Sequence, residues 1–507
     1  MRRITLLHFI IFVLFVLNPS VYSQKRSDKR GVSYDIPYAG DLPALSPGVS
    51  WFYNWGTSPL SAVNNIYNNS TNKMDYYPMA WNDINEANLR SFMTNHPECK
   101  YILAYNEPNL TDQANMTPAQ AAAKWPKLKA IATELKLKII SPAMNFGTLS
   151  GYGDPITWLD AFFNLIPISD VDGIAIHTYM NDPSTATVWY VNKFAKYNKP
   201  IWMTEFCSWE YNAPLTTNAT VGYAFQRDGM VQKIESMELN PHVAKYAWFI
   251  PRTNNDGEFP YMQLLKKVQG TVPAGTLTEL GQIFVNMSSF DSTRYYSVNE
   301  KIAAKDYMRS YPVKLEASTD LASNIPIQLG SFDSNLFAEY FIDVPVAGLY
   351  PLTLHIANTA GVNPTFKITS KGIDLVTQTV NSTGGVNNWD NRIINVNLSA
   401  GKQTLRITSA GTTGVKMQWL SIAGATTDVN IVKESQLIIY VDKNQILNVL
   451  CNEKVLKSNV FDISGKLLLQ CNSEQEIKVS ELENGVYILQ SKLENGSVLS
   501  SKFHINK

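Results

Sequence analysis

Eight short apolar runs, spaced through the first 290 residues and separated by helical patterns, constrain this chain more than any other feature. They lie at Gly31–Tyr34, Val49–Trp55, Asp75–Ala80, Tyr101–Tyr105, Ile139–Asn145, Gly173–Tyr179, Ile201–Phe206 and Tyr246–Ile250. Most are continuously apolar rather than alternating, as strands covered on both faces must be. Between them, Thr117-Pro118-Ala119-Gln120 reads as a capping box with proline at the first helical position. Val221, Ala224, Phe225, Met230, Val231 and Ile234 share one helical face, and Thr276 to Met287 closes the series. Strands alternating with helices predict a parallel sheet, and eight such units predict an α/β fold of the (β/α)8 TIM-barrel type. A doubly wound open sheet is the alternative, but no glycine-rich phosphate loop follows the first run.

In such a barrel the chemistry gathers at the C-terminal ends of the strands. Those ends change character together. The second run ends in Tyr53-Asn54-Trp55 with Trp81 beyond the third, the fourth in Asn106-Glu107-Pro108, and the fifth in Asn145. The sixth ends in His177-Thr178-Tyr179, the seventh in Glu205 with Trp209 beyond, and the eighth in Trp248. Glu107 and Glu205 therefore converge on one rim, from strands that face each other across the mouth. Two facing carboxyls suit glycosidic cleavage, where one protonates the leaving oxygen and the other attacks or activates water. A single glutamate after a strand is more often a solvated loop charge or a helix cap. Two, each flanked by Asn, Trp or Tyr, favour the functional reading, and His177 on the same rim stands evenly between structural and functional roles.

The remainder of the sequence bounds the setting. The 507 residues carry 43 basic and 43 acidic side chains, a balance that points to no nucleic-acid partner. Residues 1–23 read as a signal peptide: Arg2 and Arg3, an apolar run from Leu6 to Leu17, then Val21 and Ser23 at the cleavage positions. The run is too short to span a bilayer, so an exported protein without a membrane span is expected. Cys99 and Cys207 belong at opposite ends of a barrel, beyond the reach of a disulfide. Cys451 and Cys471 lie close enough in sequence to pair, though free thiols are the reading preferred here.

These residues carry a resemblance. Asn106-Glu107-Pro108 and Thr204-Glu205 are similar to the catalytic segments of clan A glycoside hydrolases. Lys29-Arg30-Gly31-Val32-Ser33-Tyr34, the aromatic Ser50–Gly56 segment, Ser141-Pro142-Ala143, Asp172 to Tyr179 and Pro200 to Phe206 narrow it further. Together they resemble the Asl1-like catalytic domain of glycoside hydrolase family 128. The resemblance implies a retaining, endo-acting β-1,3-glucanase for substrates such as laminarin or curdlan. Glu107 would be the acid/base, Glu205 the nucleophile, and Asn106 a partner of the sugar 2-hydroxyl. Tyr53, Asn54, Trp55, Trp81, Asn145, His177, Tyr179, Trp209 and Trp248 are candidate substrate contacts, with Trp158 a further stacking candidate; no metal or cofactor is called for. The alternatives are a clan A glycosidase for another β-glucan linkage and a non-catalytic glycan-binding surface protein.

Two β-rich segments follow the expected catalytic domain at 24–292. From 300 to 425, short strands with turn signals predict a β-sandwich. Ile342-Asp343-Val344-Pro345, Thr383-Gly384-Gly385 with Trp389, Leu398-Ser399-Ala400-Gly401 and Trp419 resemble a family 6 carbohydrate-binding module of jelly-roll type. The segment departs from that family at Val386, where a sugar-stacking Trp is frequent, and at Lys416, where an Asn is frequent. A spacer or a different binding face therefore stands beside sugar binding, with Trp389 and Trp419 read as core. From 430 to 507, Asn459 to Lys466, Leu482 to Leu489 and Lys502 to Lys507 resemble the immunoglobulin-like C-terminal sorting domain of type IX secretion. That implies the type IX machinery as partner and a secreted or cell-surface location; a monomer is expected.

Overall fold

The computed structural model describes residues 24–69, 73–209, 219–253, 261–333, 335–424, 437–451, 454–473, 475–494 and 498–506. The expected signal peptide at 1–23 lies outside them. The chain divides into two compact units. One holds the residues up to Asp343 with Thr353–Ile394 and Lys402–Ser421; the other holds Val344–Leu352, Asn395–Gly401 and Ile422–Lys507.

The described residues up to 290 form an α/β region. Its strands are β1 (Arg30–Ser33), β2 (Trp51–Tyr53), β3 (Asp75–Tyr76), β4 (Tyr101–Leu103), β5 (Lys138–Ile140), β6 (Ile174–Thr178), β7 (Ile201–Phe206) and β8 (Val243–Trp248). Each overlaps one of the expected runs. Parallel pairing joins β1 to β2, β2 to β3, β4 to β5, β6 to β7, β7 to β8 and β8 back to β1. Parallel bridges at Met79–Leu103, Ile140–Gly173 and Met144–Ile176 link the remaining neighbours. Pairing therefore passes from each strand to the next and from the eighth to the first. Val32, Phe52, Ile102, Ile140, Ile176 and Met203 are fully buried along it.

The capped helix starts where the sequence says it should. Thr117 caps the helix Pro118–Glu134 with both halves of the capping box formed. The face expected from Val221 to Ile234 lies within the helix Ala219–Leu239, and Thr278 caps Glu279–Asn286. None of the described helices is long and apolar enough to cross a membrane.

Two local features have clear causes. Strand β8 begins at Val243, earlier than expected: Lys245 breaks the apolar run in the sequence but is paired within the strand, opposite Trp202. Its ammonium donates to Asp28 O at 2.7 Å and lies 5.6–5.9 Å from the ring centres of Trp51, Tyr77 and Trp202. Burial pushes this lysine down to about 8. The basic segment 24–30, ahead of β1, is tied to the protein. Arg26 donates to Ser46 O, Val49 O and Lys73 O, Lys29 donates to the carbonyls of Met237, Glu238 and Asn240, and Arg30 is buried.

The β-rich remainder begins at Tyr296–Ser297, which pairs with Phe337–Val344. One sheet sets Lys314–Ala317, Ile327–Gly330, Lys416–Ile422, Gly348–Asn358 and Gly385–Leu398 side by side, and a second sets Arg309–Tyr311, Phe337–Val344, Gly401–Ala410, Thr365–Ser370 and Ile373–Thr379. Trp389 and Trp419, expected as core, are only half-buried. They flank His355 in a ring stack, with centres 5.5 and 4.8 Å away, on a sheet face rather than between sheets. Further along, strands from Leu437 to Ile505 enclose a core that includes Ile439, Leu447, Val449, Val460, Leu489 and Phe503. Cys99, Cys207 and Cys451 are free thiols, so no Cys451–Cys471 bridge forms.

Candidate active site

Strand register brings the two glutamates together. Along β6 and β7, Ile176 faces Met203 but the next residue, His177, faces Glu205, so Thr204 is an extra residue on β7. The β7–β8 register also shifts between Met203 and Phe206. A bulge of this kind re-aims the side chains around it. Here it turns Glu205 toward the strand ends, beside His177. The spare Thr204 is put to use, its Oγ1 lying 3.0 Å from His177 Nε2.

Glu107 reaches the same place from a strained turn. It follows β4 with φ +42°, a left-handed conformation that residues with a Cβ rarely adopt. Its N–H donates to Ala143 O at 3.0 Å, and the N–H of Asn106 donates to Trp81 O at 2.8 Å. The neighbouring segments thus hold the turn from both sides. Both glutamates are nearly enclosed, Glu107 at 7 % exposure and Glu205 at 4 %.

His177 bridges the pair. Its Nδ1 lies 2.8 Å from Glu107 Oε1 and 3.6 Å from Glu205 Oε2. These spans add to 6.4 Å, the greatest separation those two oxygens can have. Burial would lower the imidazole, but the charges of Glu205 and Glu107 and the hydrogen bond to Glu107 outweigh it, so His177 is held above its ordinary value. Asn145 Nδ2 adds a second contact to Glu107 Oε1 at 3.1 Å.

Glu205 is gripped by three donors. Tyr53 O–H and Trp55 Nε1–H donate to Oε1 at 2.8 and 2.9 Å, and Tyr179 O–H donates to Oε2. Burial first, then the charge of Glu205, pushes both phenols well above their ordinary value, so both stay protonated and able to donate. Asn106 Nδ2 donates to Gln113 Oε1 at 3.1 Å, while its Oδ1 is buried without a partner. An unsatisfied buried acceptor is costly and calls for a ligand donor or water.

The expected contacts sort into distinct groups. Tyr53, Trp55, Asn145, His177 and Tyr179 touch the carboxylates themselves. Asn54 braces the turn before Trp55: its Nδ2 donates to Asp35 and Ser58, and its Oδ1 accepts from Tyr76 O–H and Gly56 N–H. Trp81 is half-buried and supplies a carbonyl. Trp209 is half-buried beside Tyr179, ring centres 5.5 Å apart. Trp248 and Trp158 are not rim residues. Both are fully buried, with their N–H groups donating to Met262 O at 2.7 Å and Met116 O at 2.9 Å. Successive residues of a strand point to opposite faces, so it is Phe249 that turns to the mouth. Its ring lies 5.7–6.2 Å from those of Tyr179, Trp55 and Trp209. Counting alternation on from the buried Tyr246 and Trp248 would have found it. Thr204 carried no signal, because the bulge that exposes it is a property of the pairing.

The family model described as glycosyl hydrolase catalytic core matches residues 31–284, and the secretion system C-terminal sorting domain matches residues 443–506. Alkali-sensitive linkage protein 1 of Schizosaccharomyces pombe is 24% identical over 273 residues, which are 51% of this chain and 45% of that protein. The chain thus spans less than half the length of this curated relative. A family GH128 (subgroup II) endo-β-1,3-glucanase from Pseudomonas viridiflava is 36% identical, over 52% of this chain and 98% of that one, with a TM-score of 0.45. Its counterpart from Sorangium cellulosum is 33% identical, over 51% and 97%, with a TM-score of 0.42.

Proposed function

Because the chain belongs to the glycosyl hydrolase catalytic core family and is a glycoside hydrolase, we propose that it is a retaining, endo-acting β-1,3-glucanase with Glu107 as acid/base and Glu205 as nucleophile. Its sorting domain marks it for secretion or cell-surface attachment. The substrate is taken from the solved relatives, which act as endo-β-1,3-glucanases. The catalytic region is read as a (β/α)8 barrel over 24–292, supported by the unbroken round of parallel pairing. A jelly-roll sandwich over 300–425 and the immunoglobulin-like sorting domain over 430–507 complete the reading.

The observation that carries the mechanism is the bridge at His177. Retaining enzymes hold their carboxyls about 5–5.5 Å apart and inverting enzymes about 6.5–9.5 Å apart. A separation of at most 6.4 Å between the bridged oxygens is compatible with the first class. In that reading Glu205 attacks the anomeric carbon while Glu107 gives its proton to the bridging oxygen, and the leaving chain departs. Glu107 then takes a proton from water, whose oxygen attacks the same carbon and releases Glu205. Tyr53, Trp55 and Tyr179 keep the nucleophile in line, worth much of the barrier when geometry is pre-set. The unpartnered Oδ1 of Asn106 accepts from the sugar 2-hydroxyl.

Laminarin hydrolysis by Glu205→Ala tests this directly. The variant should lose cleavage, and added azide should restore turnover with an inverted glycosyl azide as product. Full activity in the variant, or rescue with retention, refutes the nucleophile. Parallel assays on β-1,4- and β-1,6-glucans test the linkage.

A further inference from the structure

The rim carries a second aromatic group that the carboxylates do not use. Phe146 directly follows Asn145, and Trp189 ends the π-helical turn Thr185–Trp189 beyond β6. Their rings are nearly parallel, 11° apart in plane with centres 6.4 Å apart. Phe146 is 41% exposed and Trp189 49%, so neither serves the core. The pair is nonetheless braced. Tyr190 packs against both at 5.6 and 6.3 Å and donates to Met144 O. Lys193 Nζ stands 5.8 and 5.0 Å from the two ring centres. Two large rings, held parallel and left open to water, offer the flat apolar surface on which a pyranose face stacks.

Position says which part of a glucan they meet. Asn145, the neighbour of Phe146, donates to Glu107 Oε1. Glu107 serves the oxygen of the leaving chain, whereas two of the three donors to Glu205, Tyr53 at the end of β2 and Trp55 just after it, come from the far side of the mouth. The surface is therefore continuous with the acid and lies across the mouth from Tyr53 and Trp55. Resting on the glycosidase reading above, we propose that Phe146 and Trp189 form a stacking subsite for the leaving, reducing-end part of the substrate chain.

Reducing-end-labelled laminarihexaose, cut by the full-length enzyme and sized by mass spectrometry, tests this. Weakening a subsite on the leaving side lets the chain slide toward the opposite side, so the preferred cut should move toward the labelled end. Phe146→Ala and Trp189→Ala should show that shift with roughly three- to ten-fold losses in kcat/KM. Trp189→Leu, which keeps apolar bulk but no flat face, should behave as the alanine variant, and Trp189→Phe should recover both readouts. An unchanged cut pattern in the alanine and leucine variants overturns the proposal, as does a shift away from the label. A change in sedimentation mass with an unchanged cut pattern makes the pair a self-association face and equally overturns it. Failure of the wild-type enzyme to cut laminarihexaose refutes the underlying β-1,3-glucanase reading instead.

Discussion

Trp248 and Phe249 are adjacent in sequence and should respond oppositely to substitution. Trp248→Phe removes the N–H that donates to Met262 O. Leaving that buried acceptor unsatisfied costs about 1–3 kcal/mol, and the smaller ring leaves a cavity worth about 1 kcal/mol more. The expected loss of about 2–4 kcal/mol corresponds to a drop of roughly 5–15 °C in the melting of a domain this size. Because the indole faces Phe206 and Phe284 at 5.1 and 6.3 Å rather than the mouth, laminarin kcat/KM well below the melting temperature should stay within about two-fold of wild type. Phe249→Ala should do the reverse. Its half-buried ring costs about 1 kcal/mol of stability when truncated, but Trp55 and Tyr179, which both donate to Glu205, pack on it. A loss of roughly ten-fold or more in kcat/KM follows from loosening them. Circular-dichroism melts paired with laminarin kinetics read both quantities. A Trp248→Phe enzyme that melts like wild type and loses activity would refute the assignment of these two residues to opposite faces.

Other outcomes are equally open to measurement. His177 is held above its ordinary value of about 6.5 when folded, so its stabilising contribution is complete below that pH and is lost as pH rises through the folded value. Urea midpoints between pH 6 and 9 should show this decline in the wild type and not in His177→Gln. A methyl group on Gly31 would lie 2.3 Å from Trp51 Cε2, inside a cluster with Tyr77 and Trp202; Gly31→Ala should cost about 1–3 kcal/mol in a melting assay. On Gly147 it would meet Asn109 O at 2.2 Å, so Gly147→Ala should displace the loop carrying Asn145 and lower laminarin kcat by roughly ten-fold.

Much of the site was legible because parallel pairing from each strand to the next ties chain order to position. Once eight buried runs alternate with helices, residues just past each run must share a rim, and Tyr53, Trp55, Glu107, Asn145, His177, Tyr179 and Glu205 do gather there. The errors fell where that rule is too coarse. Trp248 and Trp158 were judged by proximity to a strand end and by residue type, and both bury their rings against the core. Trp389 and Trp419 failed the other way, standing on a sheet face with His355 between them. Phe146 and Trp189 sit in connecting segments, where neither strand nor helix period says which way a ring points.

The sequence by itself determined the order of elements, the rim on which two glutamates meet and the sorting domain, because apolar period, caps and short motifs are local properties of the chain. Tertiary structure alone decided how the glutamates are held. The bulge that sets His177 opposite Glu205, the left-handed turn at Glu107 and the 6.4 Å ceiling between the bridged oxygens arise from pairing between strands far apart in sequence. Register is a relation between segments, and no single segment carries it.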